Sequence, residues 1–93
     1  MTIKVIKYDN KLLELEFEKE DHTIGNLLRS YLMKDKHVKL AGYRVLHPIT
    51  GGIRLVIHTD GEEDPKDALI NAILKIEEET KELQEKLKSL FKL

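Results

Sequence analysis

The stretch DPKDALINAILKIEEETKELQEKLKSLFKL, residues 64–93, decides the fold. Asp64 suits an N-cap, and Pro65 suits the first helical position, where its missing N–H is no loss. No glycine or proline follows, so one uninterrupted helix is expected through Leu93. About 29 residues at ~1.5 Å each make a rod of about 43 Å. A globule of this chain length has a radius of gyration of only about 12 Å. The rod is therefore too long for its own domain. Leu69, Ile73, Ile76, Thr80, Leu83, Leu87 and Leu90 repeat at steps of four and three, which is a heptad seam. Ala68 and Ala72 widen the stripe in the first half, as a core-facing helix requires. The second half is narrower and more charged. The first half is expected to pack on a sheet and the second to reach another helix.

Working back from that helix, Ile53, Leu55 and Ile57 alternate with Arg54, Val56 and His58 as a strand. Thr50-Gly51-Gly52 after Pro48 is a turn. Val38, Leu40, Tyr43 and Val45 form a further strand, and the phase change at Ala41-Gly42 predicts a bulge there. Residues 12–18 alternate strictly, with Leu13, Leu15 and Phe17 on one face and Glu14, Glu16 and Glu18 on the other. The glutamate row reads as a solvated face that discourages edge pairing. Residues 3–8 precede Asp9-Asn10-Lys11, a turn whose Asp and Asn tolerate positive φ, so a β-hairpin is expected. Between hairpin and bulge, Ile24, Leu27, Leu28, Tyr31 and Leu32 form one helical stripe. Thr23 is the expected N-cap, with Asp21 adding negative charge near the positive end of the helix. The class is α+β: a four-stranded, largely antiparallel sheet with two helices, the C-terminal one long, in one domain over residues 1–93.

Composition narrows the function. The 93 residues carry a formal net charge of −1 and no cysteine. Near-neutrality disfavours a surface given over to nucleic acid, and lysines interleave with glutamates. The absence of cysteine removes disulfides and thiolate metal sites and fits a reducing cytoplasm. No apolar run approaches the roughly 18 residues that span a bilayer, and residues 1–11 do not read as a signal peptide. His22, His37, His47 and His58 lack metal-ligand spacing. Asp21-His22-Thr23 resembles acid-base fragments, but adjacency does not bring a nucleophile, a base and an orienting group together. Glu77-Glu78-Glu79 reads as a solvated helix surface. Gly51-Gly52-Ile53-Arg54 lacks phosphate-loop spacing. Gly25 is less easily dismissed. Glycine in a first turn costs about 1 kcal/mol against alanine, so either the turn tolerates it or another backbone comes close there.

Residues 20–29, EDHTIGNLLR, resemble the signature of the small α-like subunits of archaeal and eukaryotic RNA polymerases, the archaeal form being called subunit L. The likeness continues through Ala41-Gly42-Tyr43-Arg44-Val45, His47-Pro48, Ile57-His58-Thr59, Pro65, Ala68-Leu69 and Ala72. It covers essentially the whole chain, whose shortness looks archaeal. The resemblance implies the dimerisation fold of RNA polymerase α subunits. It also implies a heterodimer with the larger α-like RNA polymerase subunit, and a scaffold role that nucleates assembly of the catalytic subunits. In the family the helices of the two partners meet. Carried here, these helices are residues 23–33 and 65–91. The candidate interface is then Thr23, Ile24, Gly25, Asn26, Leu27, Leu28, Tyr31 and Leu32 with Leu69, Ile73, Ile76, Thr80, Leu83, Leu87 and Leu90. No catalytic residue, metal or cofactor is implied. A self-contained homodimeric module stands as the alternative, with a small acid-base enzyme behind it. Because the cations are interleaved with glutamates, the isolated chain is expected to bind duplex DNA weakly at physiological salt. Sub-micromolar binding with a steep salt dependence would contradict this.

Overall fold

Leu13, Leu15 and Phe17, alternating with glutamates, place one apolar row at the centre of a sheet. A computed structural model describes residues 2–20 and 22–92. Its elements are β1 (Ile3–Tyr8), β2 (Leu12–Phe17), α1 (His22–Leu32), β3 (Val38–His47), β4 (Gly51–Thr59) and α2 (Pro65–Phe91). The strands form one antiparallel sheet in the order β1-β2-β4-β3. Leu13, Leu15 and Phe17 pair with Ile57, Leu55 and Ile53, and these pair with Ala41, Tyr43 and Val45. Leu28 and Leu32 of α1 and Ala68, Leu69 and Ala72 of α2 complete the core on this face.

Several local expectations are corrected. The β1–β2 turn uses no positive φ. Instead Asp9 Oδ1 accepts from the N–H groups of Lys11 (2.8 Å) and Leu12 (2.9 Å), so the side chain replaces the left-handed backbone. The irregularity in β3 falls between Val38 and Leu40 rather than at Ala41-Gly42. That slip turns Leu40 outward, 53% exposed, and puts the small Ala41 into the core beside α1. α1 begins at His22, so Thr23 lies within the first turn and not at the cap. Asp21 lies outside the described residues, as does Leu93. The glutamate row is not on an edge, because β2 lies between β1 and β4. Glu16 accepts from Arg54 at 3.1 Å, and Glu18 lies 3.6 Å from Lys4. Glycine is required at the start of β4, where Gly51 and Gly52 have φ of 81° and 94°.

The helices are fastened at their ends. Asp64 caps α2 by accepting from the Lys66 N–H at 2.8 Å, and it also accepts from the Tyr8 hydroxyl at 2.8 Å. These bonds, that from Tyr8 foremost, hold the Asp64 carboxyl below its usual range. His37, between α1 and β3, meets Asp60, between β4 and α2, with Nδ1 2.8 Å from Oδ2. The Asp60 N–H donates to the His37 carbonyl. No helix among the described residues is long and apolar enough to cross a membrane.

The contact with Asp60 raises the His37 pKa above 6.5, and the same contact lowers that of Asp60 below 3.8. A raised histidine contributes stability that is complete below its unfolded value and lost as pH rises through its folded value. A lowered aspartate contributes stability that is lost as pH falls through its own folded value. The pair is therefore strongest between these limits. The Asp35–Glu63 hydrogen bond at the same corner raises the Glu63 pKa, so the histidine's share must be read by difference. Melting temperature should fall on alkaline titration from pH 6, and less so for His37→Gln. Equal slopes in the two proteins would remove the pair from the stability of this corner.

Candidate assembly interface

α2 has 27 residues, and at ~1.5 Å per residue it is about 40 Å long. Only its first part has a sheet beneath it. Pro65, Ala68, Leu69 and Ala72 are buried and Ile76 partly so, whereas every described residue from Lys81 onward is exposed. Leu83, Leu87 and Leu90 are 58%, 46% and 76% exposed. The principal extents of 47 × 37 × 17 Å and a radius of gyration of 15.1 Å record the overhang. The heptad seam therefore runs continuously from core to open surface.

The candidate interface residues divide into three groups. Leu28, Leu32 and Leu69 are buried in the chain's own core, at 7%, 0% and 9% exposure, and have no side-chain surface left for a partner. Ile24, Tyr31 and Ile76 pack against that core and stay partly open. Leu27, Ile73, Leu83, Leu87 and Leu90 are open apolar positions, with Thr23, Asn26 and Thr80 as open polar ones. The Tyr31 hydroxyl donates a short hydrogen bond to Glu79, which ties α1 to α2 and raises the tyrosine pKa. The Lys34 ammonium sits 4.3 Å from the centroid of the same ring.

Gly25 belongs to the core for a reason the sequence did not show. A Cβ there would lie 2.5–2.7 Å from three ring atoms of Tyr43. The close neighbour is thus a ring of the same chain, not another backbone. Tyr43 is held in turn by His22, whose Nδ1 lies 3.0 Å from its hydroxyl with the rings edge to face.

Some open apolar side chains lie outside the seam altogether. Ile70 and Leu74 are 46% and 55% exposed. With 3.6 residues per turn they share, with Ile73, the flank of α2 opposite Lys75 and Glu79. Since Glu79 is bonded to α1, this flank faces away from α1. On the same side of the sheet Ile3 and Val5, paired with Phe17 and Leu15, are left uncovered at the β1 edge. The two helices span too little width to roof four strands. The only signal in the sequence was the apolar content of residues 3–8, which a hairpin alone explained.

The model of the RNA polymerase Rpb3/Rpb11 dimerisation domain matches residues 12–86. A DNA-directed RNA polymerase subunit Rpo11 from Sulfurisphaera tokodaii is 45% identical over 92 residues, covering 99% of each chain. One from Saccharolobus solfataricus is 41% identical over 92 residues, covering 99% of this chain and 100% of that one. The structure of DNA-directed RNA polymerase subunit L from Thermoplasma acidophilum superposes with a TM-score of 0.85 over 98% of this chain and 89% of that one. At 21% identity this last likeness bears on the fold alone.

The Gly25–Tyr43 contact fixes the sign of one substitution. Propensity alone would have Gly25→Ala stabilise the helix. Overpacking against a ring costs about 1–3 kcal/mol, so the isolated chain should lose stability, and Tyr43→Ser in the same chain should restore part of it. A raised melting point for Gly25→Ala alone would contradict the contact.

Proposed function

Because this chain belongs to the RNA polymerase Rpb3/Rpb11 dimerisation domain family, we propose that it is the small α-like assembly subunit of an archaeal DNA-directed RNA polymerase, the counterpart of subunit L. In this reading residues 1–93 form a single dimerisation domain. It pairs in the cytoplasm with the larger α-like RNA polymerase subunit, and the pair is the platform on which the catalytic subunits assemble for transcription. The chain itself supplies no catalytic residue, metal ligand or cofactor site. The observation that carries the reading is the exposed second half of α2. Burying one Leu or Ile side chain contributes roughly 1.5–3 kcal/mol. Association must overcome about 4–15 kcal/mol of lost freedom. Leu27, Ile73, Leu83, Leu87 and Leu90 together are of the right size to do so.

In this role the buried and open residues of the interface helices work differently. Leu83, Leu87, Leu90, Ile73 and Leu27 touch the partner. Leu28, Leu32 and Leu69 hold the helices at the angle the partner meets. Co-expression with the larger α-like subunit of an archaeal polymerase tests the pairing. A stable one-to-one complex is expected, together with concentration-dependent self-association of the chain alone. A well-behaved homodimer indifferent to that larger subunit would instead support the self-contained module.

Substitutions separate contact from support. Leu83→Asp or Leu87→Asp should leave the circular dichroism of the isolated chain intact and weaken pairing by at least about 100-fold, since a charge enters an apolar contact. Leu28→Asp should unfold the chain, because its side chain has only the core to occupy. Normal pairing by both α2 variants would remove the seam from the interface.

A further inference from the structure

β3 is the second edge of the sheet, opposite β1, and the longest strand, with 10 residues. From Leu40 to Val45 it pairs with β4 without a slip. Among the described residues, no backbone hydrogen bond beyond the sheet engages residues 39–46. Its outer side is thus a row of unused backbone donors and acceptors.

The charge around that edge has one sign. Lys4, Glu16, Arg54 and Arg44 form one row across the outer face of the sheet. Arg54 is spent on Glu16 at 3.1 Å, yet its buried Nε has no partner. Arg44 stands directly opposite Arg54, a like-charge cross-strand pair that is unfavourable unless a carboxylate intervenes. Arg29 of α1 borders the same concavity as Arg44, Tyr43 and Asn26. Arg29, Lys39 and Arg44 make no ion pair among the described residues. Beside Arg44, a Cβ on Gly42 would find nothing within 4 Å, so there is room for an incoming side chain.

We propose that β3 is a docking edge for an acidic, extended segment of another polypeptide, which adds alongside it as a fifth strand. Main-chain hydrogen bonds would supply affinity and the cations would supply selection. An acidic residue beside Arg44 completes the charge alternation that the row Lys4, Glu16, Arg54 and Arg44 leaves unfinished. A second copy of this chain does not fit. Both of its edge strands, β1 and β3, carry lysine or arginine and no carboxylate, so edge-to-edge pairing would set like charges together. Nucleic acid could use the cations but not the strand ladder. The proposal does not depend on pairing through α2.

The test uses the full-length chain and a short peptide alternating glutamate with threonine. Two controls are the lysine counterpart and an acidic peptide with proline at every second position. The acidic strand peptide should bind saturably and slow amide exchange along residues 40–46, and neither control should do so. Arg44→Glu, at an exposed position, should keep its fold by circular dichroism and lose affinity by more than about tenfold, as like-charge juxtaposition costs several kcal/mol. Absence of binding, equal binding by the proline peptide, or unchanged exchange in β3 would overturn the proposal. Tighter binding of a single-stranded oligonucleotide that displaces the peptide would also overturn it, by assigning the cations to nucleic acid.

Discussion

The aliphatic stripe of α2 is longer than the sheet available to bury it, and most of the architecture follows from that mismatch. A stripe that ended near Ile76 would close over the core and leave a self-sufficient domain. Here it continues through Leu83, Leu87 and Leu90 with nothing of its own beneath. The core itself is thin, with one row from each of three strands and the inner faces of two helices. In a chain of 93 residues the surface buried on folding is a small fraction of what a large domain buries. A helix that postpones half its burial until it meets a partner therefore links the stability of the fold to assembly.

The elements were legible because their periods are clean. Alternation of two in Leu13, Leu15 and Phe17 and in Ile53, Leu55 and Ile57 gave both central strands their correct faces. Asp64 and Pro65 marked the start of α2 to the residue. Periodicity identifies a face but not what covers it, and the errors gather there. Leu27 and Leu28 are equal members of one stripe in sequence. In the fold Leu28 is core and Leu27 is 38% exposed, because α1 presents one of them to the sheet. Ile70 and Leu74 fall outside the heptad and so carry no periodic signal, although the narrow helix layer leaves them open.

Other misses involve residues distant in the chain. Gly25 is small because of Tyr43, and His37 is ordered by Asp60. Neither partner can be deduced from local pattern, since each contact depends on how the helices settle on the sheet. The slip between Val38 and Leu40 is of the same kind. A strand with Ala41 and Gly42 in its middle offers two places to change phase. The fold takes the one that puts the smaller side chain under α1.

The overhang of α2 also has a mechanical side. The helix is clamped near its root by the Asp64 cap, by Ala68 and Ala72 in the core, and by the bond from Tyr31 to Glu79. Beyond that root it is a cantilever. From Ala72 to Leu90 the axis runs about 27 Å at ~1.5 Å per residue, so each degree of tilt at the root swings the tip by about 0.5 Å on that geometry. A rotation of a few degrees, too small to disturb any core contact, would carry Leu90 through much of the spacing between neighbouring side chains on a facing helix. The small residues at the root thus act as the bearing of a lever, setting at long range which ridge meets which groove.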